Sequence, residues 1–201
     1  MGLRRFNAGL ASFAIAGLVT IGVSMAPSAV ASASTSRPSV PSASTVRVRV
    51  RIVDWDNKYM AVPGASRSAN VQIVQWGCNG SAAEYWWLVP ITSGPDAGFY
   101  KLQNYHSGLC LEPYRDSNQR GTPVVQNKCR STVWQVWDLY YTGSGGHYLI
   151  YEVANTGRQA CQFVSEGEAC GMHPDGNSHS AGVGIYLNYT YGSDTYLWSL
   201  P

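Results

Sequence analysis

The chain has 201 residues, 45% hydrophobic, 12% aromatic and only 13% charged, with 21 glycines, five cysteines and a formal charge of +2. Few charges with many aromatics argue against a disordered or coiled-coil protein and suit an all-β module. Near-neutral charge gives no electrostatic case for nucleic acid or an anionic membrane surface.

Residues 1–31 carry the marks of a secretory signal. Arg4 and Arg5 are followed by the apolar run Leu10–Val23 and by Ala29-Val30-Ala31, a small-x-small cleavage pattern. The run is short for a membrane span, which needs about 20 residues. An uncleaved anchor is the competing possibility. Processing removes both arginines and leaves a soluble, secreted, extracellular protein with no membrane segment. Residues 32–45 are rich in Ser, Ala and Pro without apolar periodicity, as in a flexible linker.

From Thr45 the pattern changes. V-R-V-R-V-R-I-V alternates with period two, placing Val46, Val48, Val50 and Ile52 on one strand face and Arg47, Arg49 and Arg51 on the other. Three arginines on a strand either recognise an anion or simply solvate an outer face and blunt an edge; the second is the expectation here. No segment reads as a helix of ordinary length. Asn79–Trp87 and Arg130–Trp137 each suit a single turn leading into a strand.

The most informative stretch is Gly108–Leu139. It holds two short apolar runs, each with a cysteine (Cys110, Cys129), around a polar turn, and then Gln135-x-Trp137. Val133–Tyr141 reads as a strand with Val133, Gln135, Trp137 and Leu139 on one face. An offset of 51 residues carries Trp137 onto Trp86, Cys129 onto Cys78 and Gln126 onto Gln75, and in the other direction Cys110 onto Cys161. An offset of 61 reaches Ile185, Trp198 and Leu200, which places about ten extra residues around Gly167–Ser178. Such a period means three similar units, about 46–92, 97–142 and 147–201. Trp86, Trp137 and Trp198 recur at one place in each and are therefore core residues, not ligand platforms.

These residues, Cys110-Leu111-Glu112, Gln126-Asn127-Lys128-Cys129, Gln135-Val136-Trp137 and Val74-Gln75-Trp76-Gly77-Cys78, resemble the ricin B-chain-like β-trefoil lectins over about Val46–Pro201. The resemblance implies a β-trefoil of three pseudo-symmetric lobes and a non-catalytic carbohydrate-binding protein whose partner is an extracellular glycan or polysaccharide. It also implies a Cys110–Cys129 disulfide. Cys161 and Cys170 are close enough to pair locally, which leaves Cys78 over, free or buried beside Trp76 as a small hydrophobe. A zinc site from Cys161, Cys170, His173 and His179 is the weaker alternative under oxidising export, and no cofactor is expected.

In the family each lobe supplies an Asp after the first Cys, an aromatic two residues before the second Cys, and an Asn just before Q-x-W. At those positions the middle lobe carries Glu112, Asn127 and Trp134; the first has Ala61, Trp76 and Ala83; the third has Phe163, Asn188 and Thr195. The family chemistry implies that Glu112 and Asn127 take sugar hydroxyls, that Trp134 stacks on the sugar, and that Gln135 supports the turn or reaches a hydroxyl. Trp76 is the second platform. No lobe holds the full family set, so a β-trefoil used for protein contact or inhibition stands as the alternative function. Glu112 and Asp116 also form a conceivable glycosidase pair, although paired acids on a turn are more often surface residues.

Overall fold

The computed structural model describes residues 48–142, 145–153, 170–189 and 197–200. Fourteen short strands and single 3-10 turns build it: β1 Val48–Arg51, β2 Val53–Asp54, β3 Tyr59–Ala61, β4 Val71–Gln72, β5 Val74–Trp76, β6 Tyr85–Pro90, β7 Tyr100–Asn104, β8 Cys110–Pro113, β9 Val124–Asn127, β10 Trp137–Tyr141, β11 His147–Glu152, β12 Cys170–Pro174, β13 Ile185–Tyr189 and β14 Trp198–Ser199. Among the described residues no helix is long and apolar enough to cross a membrane.

The sheet closes on itself. β1 pairs with β6, β6 with β7, β7 with β10, β10 with β11, β11 with β14, and β14 with β2, which continues β1 past Ile52. Closure leaves these strands no free edge. Three hairpins, β3–β5, β8–β9 and β12–β13, cap one end. This is a β-trefoil with one hairpin per lobe.

The repeat sets the core in threes. Trp86, Trp137 and Trp198 are fully buried, as are Met60, Leu111 and Met172, and Ile73, Val124 and Ile185. Each indole N–H donates to a carbonyl 26 residues upstream: Trp86 to Met60 at 2.8 Å, Trp137 to Leu111 at 3.2 Å and Trp198 to Met172 at 3.0 Å. A buried indole without that acceptor would lose a hydrogen bond to water with nothing in return.

The lobes are joined head to tail. Asn70 N–H donates to the Gln126 carbonyl, Gly121 to Leu187 and Gly182 to Gln75, each at 2.8 Å. The side chain of Gln126 adds bonds to the Ser66 and Ser68 carbonyls, and Gln75 adds the same to Ser178 and Ser180. In the third lobe Leu187 occupies this place, so the amide pair is lost there while the backbone bond remains.

Several expectations change. Val133–Gln135 is a 3-10 turn capped by the Thr132 hydroxyl, and the strand begins only at Trp137. Thr132 Oγ1 accepts from the Trp134 N–H and holds the turn out of the extended state, so Val133 is exposed rather than inward. The extra residues of the third lobe do not fall around Gly167–Ser178. Cys170–Pro174 and the turn Asp175–Asn177 repeat β8 and Tyr114–Asp116, which leaves the insertion between Val153 and Cys170. Gly171, which pairs with Asn188 as Cys110 pairs with Asn127, is thus the counterpart of Cys110, not Cys161. Cys161 and the side chain of Cys170 lie outside the described residues, as do the signal and linker segments. Cys110 and Cys129 are disulfide-bonded. Cys78 is exposed, not buried: it sits in the loop after β5, where Tyr59 stands opposite in place of a second cysteine.

Trp137→Ala is expected to cost about 3–5 kcal/mol in denaturant unfolding, because a large cavity opens and the Leu111 carbonyl loses its donor. Trp134→Ala, at a half-buried turn position, is expected to cost much less; equal losses would contradict the assigned core.

Candidate carbohydrate site

The three lobes repeat one backbone frame and fill it differently. In the middle lobe β8 delivers Glu112, β9 delivers Asn127, and the following turn delivers Arg130 and Gln135. The structure brings these together. Glu112 is 2% exposed. Its Oε1 accepts from Asn127 Nδ2, and its Oε2 accepts from both Arg130 Nη2 and Gln135 Nε2, all at 2.7 Å. Gln135 is fully buried; its Oε1 accepts from the Arg130 N–H at 2.7 Å and its Nε2 also donates to the Lys128 carbonyl at 2.8 Å. Gln135 therefore supports the turn. Glu112 has three donors and almost no exposed surface, so it anchors Asn127, Arg130 and Gln135 rather than facing solvent.

Arg130 also holds Asp116 through two nitrogens, at 2.7 and 3.4 Å. Hydrogen bonds to Asp116 and then to Glu112 raise its pKa above the ordinary arginine value. The guanidinium fills the space between the two carboxylates, where a glycosidase pair would hold the sugar or a water. Trp134 lies half-buried on the turn that Gln135 fixes, apart from this network.

The first lobe has the same frame with the side chains cut back. Ala61 replaces Glu112 and Asn79 replaces Arg130. A cleft of about 270 Å³ opens there, lined by Ala61, Pro63, Trp76, Asn79, Ser81 and Glu84 among others. Trp76 is 44% exposed on one wall. Its indole rests on Gly182 of the third lobe, where a Cβ would come within 2.9 Å of the ring and the backbone φ is +84°. Only glycine meets both demands. Sequence reasoning missed Glu84, the counterpart of Gln135. It is buried at the cleft floor, its Oε1 accepting from the Asn79 N–H at 2.9 Å and its Oε2 from Gly80 at 3.1 Å. The offset of 51 from Gln135 was the available signal; the exchange of amide for acid concealed it.

In the third lobe His173 occupies the Glu112 position and is buried. Burial pushes its pKa down to about 4, partly offset by a hydrogen bond with Asn177. Asn188 Oδ1 accepts from Arg120 of the middle lobe at 2.8 Å. Phe163 and Thr195 lie outside the described residues.

This frame defines a three-lobed β-trefoil of the lectin class, with one hairpin to each lobe and an open cleft at the first. A family model described as ricin-type beta-trefoil lectin domain-like matches residues 45–127 and 92–171, and the chain belongs to that family. Among curated proteins no relative matches. Among solved structures, the designed three-fold symmetric protein ThreeFoil is 26% identical with a TM-score of 0.63, over 76% of this chain and 96% of that one. The exo-beta-1,3-galactanase 1,3Gal43A from Clostridium thermocellum is 25% identical with a TM-score of 0.63, over 76% of this chain but only 29% of the enzyme. A Macrolepiota procera ricin B-like lectin solved with lactose shares the fold, at 13% identity and a TM-score of 0.57, over 76% and 94% of the two chains.

Two outcomes follow from these geometries. Glu112→Ala is expected to destabilise the domain by about 2–3 kcal/mol in denaturant unfolding, below the range for wholly buried ion pairs because Arg130 can turn to water. His173 binds a proton more weakly folded than unfolded, so it leaves stability intact above about pH 6.5 and lowers it as the pH falls towards its folded value of about 4. By pH 4 the loss is about 3 kcal/mol. His173→Leu is expected to flatten that part of the stability–pH curve, and an unchanged curve would show that His173 does not titrate this way.

Proposed function

We propose that this protein is a non-catalytic carbohydrate-binding module, exported after removal of residues 1–31, that takes an extracellular glycan in the first-lobe cleft. The observation that carries this is the open cleft beside the exposed face of Trp76, at the place where the middle lobe is filled by Glu112 and Arg130. A sugar offers an apolar C–H face and a rim of hydroxyls. Trp76 suits the face, and Asn79 and Ser81 suit the hydroxyls. Family membership supports sugar binding in general, and the lactose complex of the fungal lectin is an instance in the same fold.

Trp76 thus moves from second platform to first. Glu112, Asn127 and Gln135 brace the middle lobe, leaving Trp134 as a half-exposed secondary contact. A second function, protein contact with decayed sugar sites, draws on the same saturation of Glu112 and on the missing acid at Ala61.

A glycan array followed by calorimetry separates the two. Wild type is expected to retain at least one neutral glycan, and Trp76→Ala to weaken it about tenfold, roughly 1.4 kcal/mol, with little change in melting temperature. Absence of any retained glycan, or full binding by the variant, would move the function to protein contact.

A further inference from the structure

We propose that the outer face of β1 and β6, which adjoins the first-lobe cleft where Tyr59 pairs with Trp76, is a second binding surface that takes an acidic polysaccharide through Arg49 and Arg51. Arg49 lies over the rings of Tyr85 and Tyr105, 5.1 and 5.0 Å from their centroids. Arg51 lies over Tyr59 and Tyr85, at 5.0 and 5.7 Å. Trp87 extends the face, its ring 5.5 Å from Tyr105. Stacking occupies the flat faces of the guanidiniums and leaves their N–H edges, which bind carboxylate or sulfate oxygens in pairs. Among the described residues neither guanidinium has a carboxylate partner. Arg51 Nη1 donates to Cys78 Sγ at 4.0 Å.

The fold does not require this arrangement. Asp54, Asn104 and Glu152 are equivalent, each paired with a core tryptophan: Trp198, Trp86 and Trp137. Counting back from them, Arg49 and Arg51 become Phe99 and Lys101 in the second lobe and His147 and Leu149 in the third. The two arginines occur in the first lobe only, stacked on its Tyr59 and Tyr85 and on Tyr105 of the second, unlike the threefold features of the core. A solvated strand face needs no stacked rings on both sides of its arginines, so the face does more than blunt an edge.

Charge complementarity names the ligand. Two stacked guanidiniums without a carboxylate partner among the described residues call for an anion, and the rings beside them supply apolar surface for sugar C–H faces. Single-stranded nucleic acid also stacks on aromatics, but it is tracked by a longer basic groove than two arginines on a chain of formal charge +2 provide. The choice of a glycan over other polyanions leans on the carbohydrate function proposed above; the surface itself does not.

The test is affinity electrophoresis and calorimetry of the whole secreted chain with heparin (sulfated), polygalacturonate (carboxylated), neutral galactan and a single-stranded oligodeoxynucleotide. Wild type is expected to bind heparin, polygalacturonate or both, more weakly as salt rises; which one it prefers assigns sulfate or carboxylate. Arg49→Gln with Arg51→Gln should weaken that binding about tenfold or more. The double Arg→Lys variant keeps the charge without the planar fork and should also bind more weakly. Trp76→Ala should leave binding of the acidic polymers unchanged while lowering neutral glycan binding, so the two sites fail independently. No binding to either acidic polymer, full binding by the lysine variant, an equal loss with Trp76→Ala, or tighter binding of the oligonucleotide would each overturn the proposal.

Discussion

Each lobe is pinned by one hydrogen bond inside an apolar core, from a buried indole N–H to the carbonyl of Met60, Leu111 or Met172. A tryptophan brings more apolar surface than any other residue but carries a donor that must be met. The cap hairpin supplies the acceptor and the barrel strand supplies the ring, so the bond fixes the height of each hairpin over the barrel. The first-lobe cleft and its filled counterparts lie on those hairpins, and their geometry depends on that height.

With the frame fixed, a few side chains decide what each lobe presents. One position holds Ala61, Glu112 or His173. The first opens a cleft, the second fills it with a buried anion and its donors, and the third buries a neutral imidazole. The next decisive position holds Asn79 or Arg130. These residues lie outward of the threefold core layers, so they diverge without disturbing the barrel.

The fold was legible because its signal repeats. The period that aligned Trp86, Trp137 and Trp198 also marked three hairpins, and strand alternation marked Val50 and Ile52 as inward. What misled was local chemistry. Thr132 can cap a turn as readily as it can join a strand, and period two alone does not separate Val133–Gln135 from the strand that follows. The insertion was misplaced because Cys161 matched Cys110 by spacing, whereas strand pairing sets Gly171 there. At the site, Glu112 does meet Asn127 and Gln135 while Trp134 stands apart from them, and sequence does not reveal that Arg130, from a turn 18 residues away, closes on Glu112. Nor does it reveal that a missing acid leaves a cavity at Trp76.

One backbone bond recurs around the ring, Asn70 to Gln126 from first lobe to second, Gly121 to Leu187 from second to third, and Gly182 to Gln75 from third back to first. In symmetry terms this is a heterologous contact that closes after three steps, written within a single chain. A lobe released from its neighbours would present two different unmet edges, and it could satisfy both only by recruiting two more copies of itself. The single-chain form removes the concentration dependence of that assembly, and it lets one member of the ring change its outer surface while the other two keep theirs.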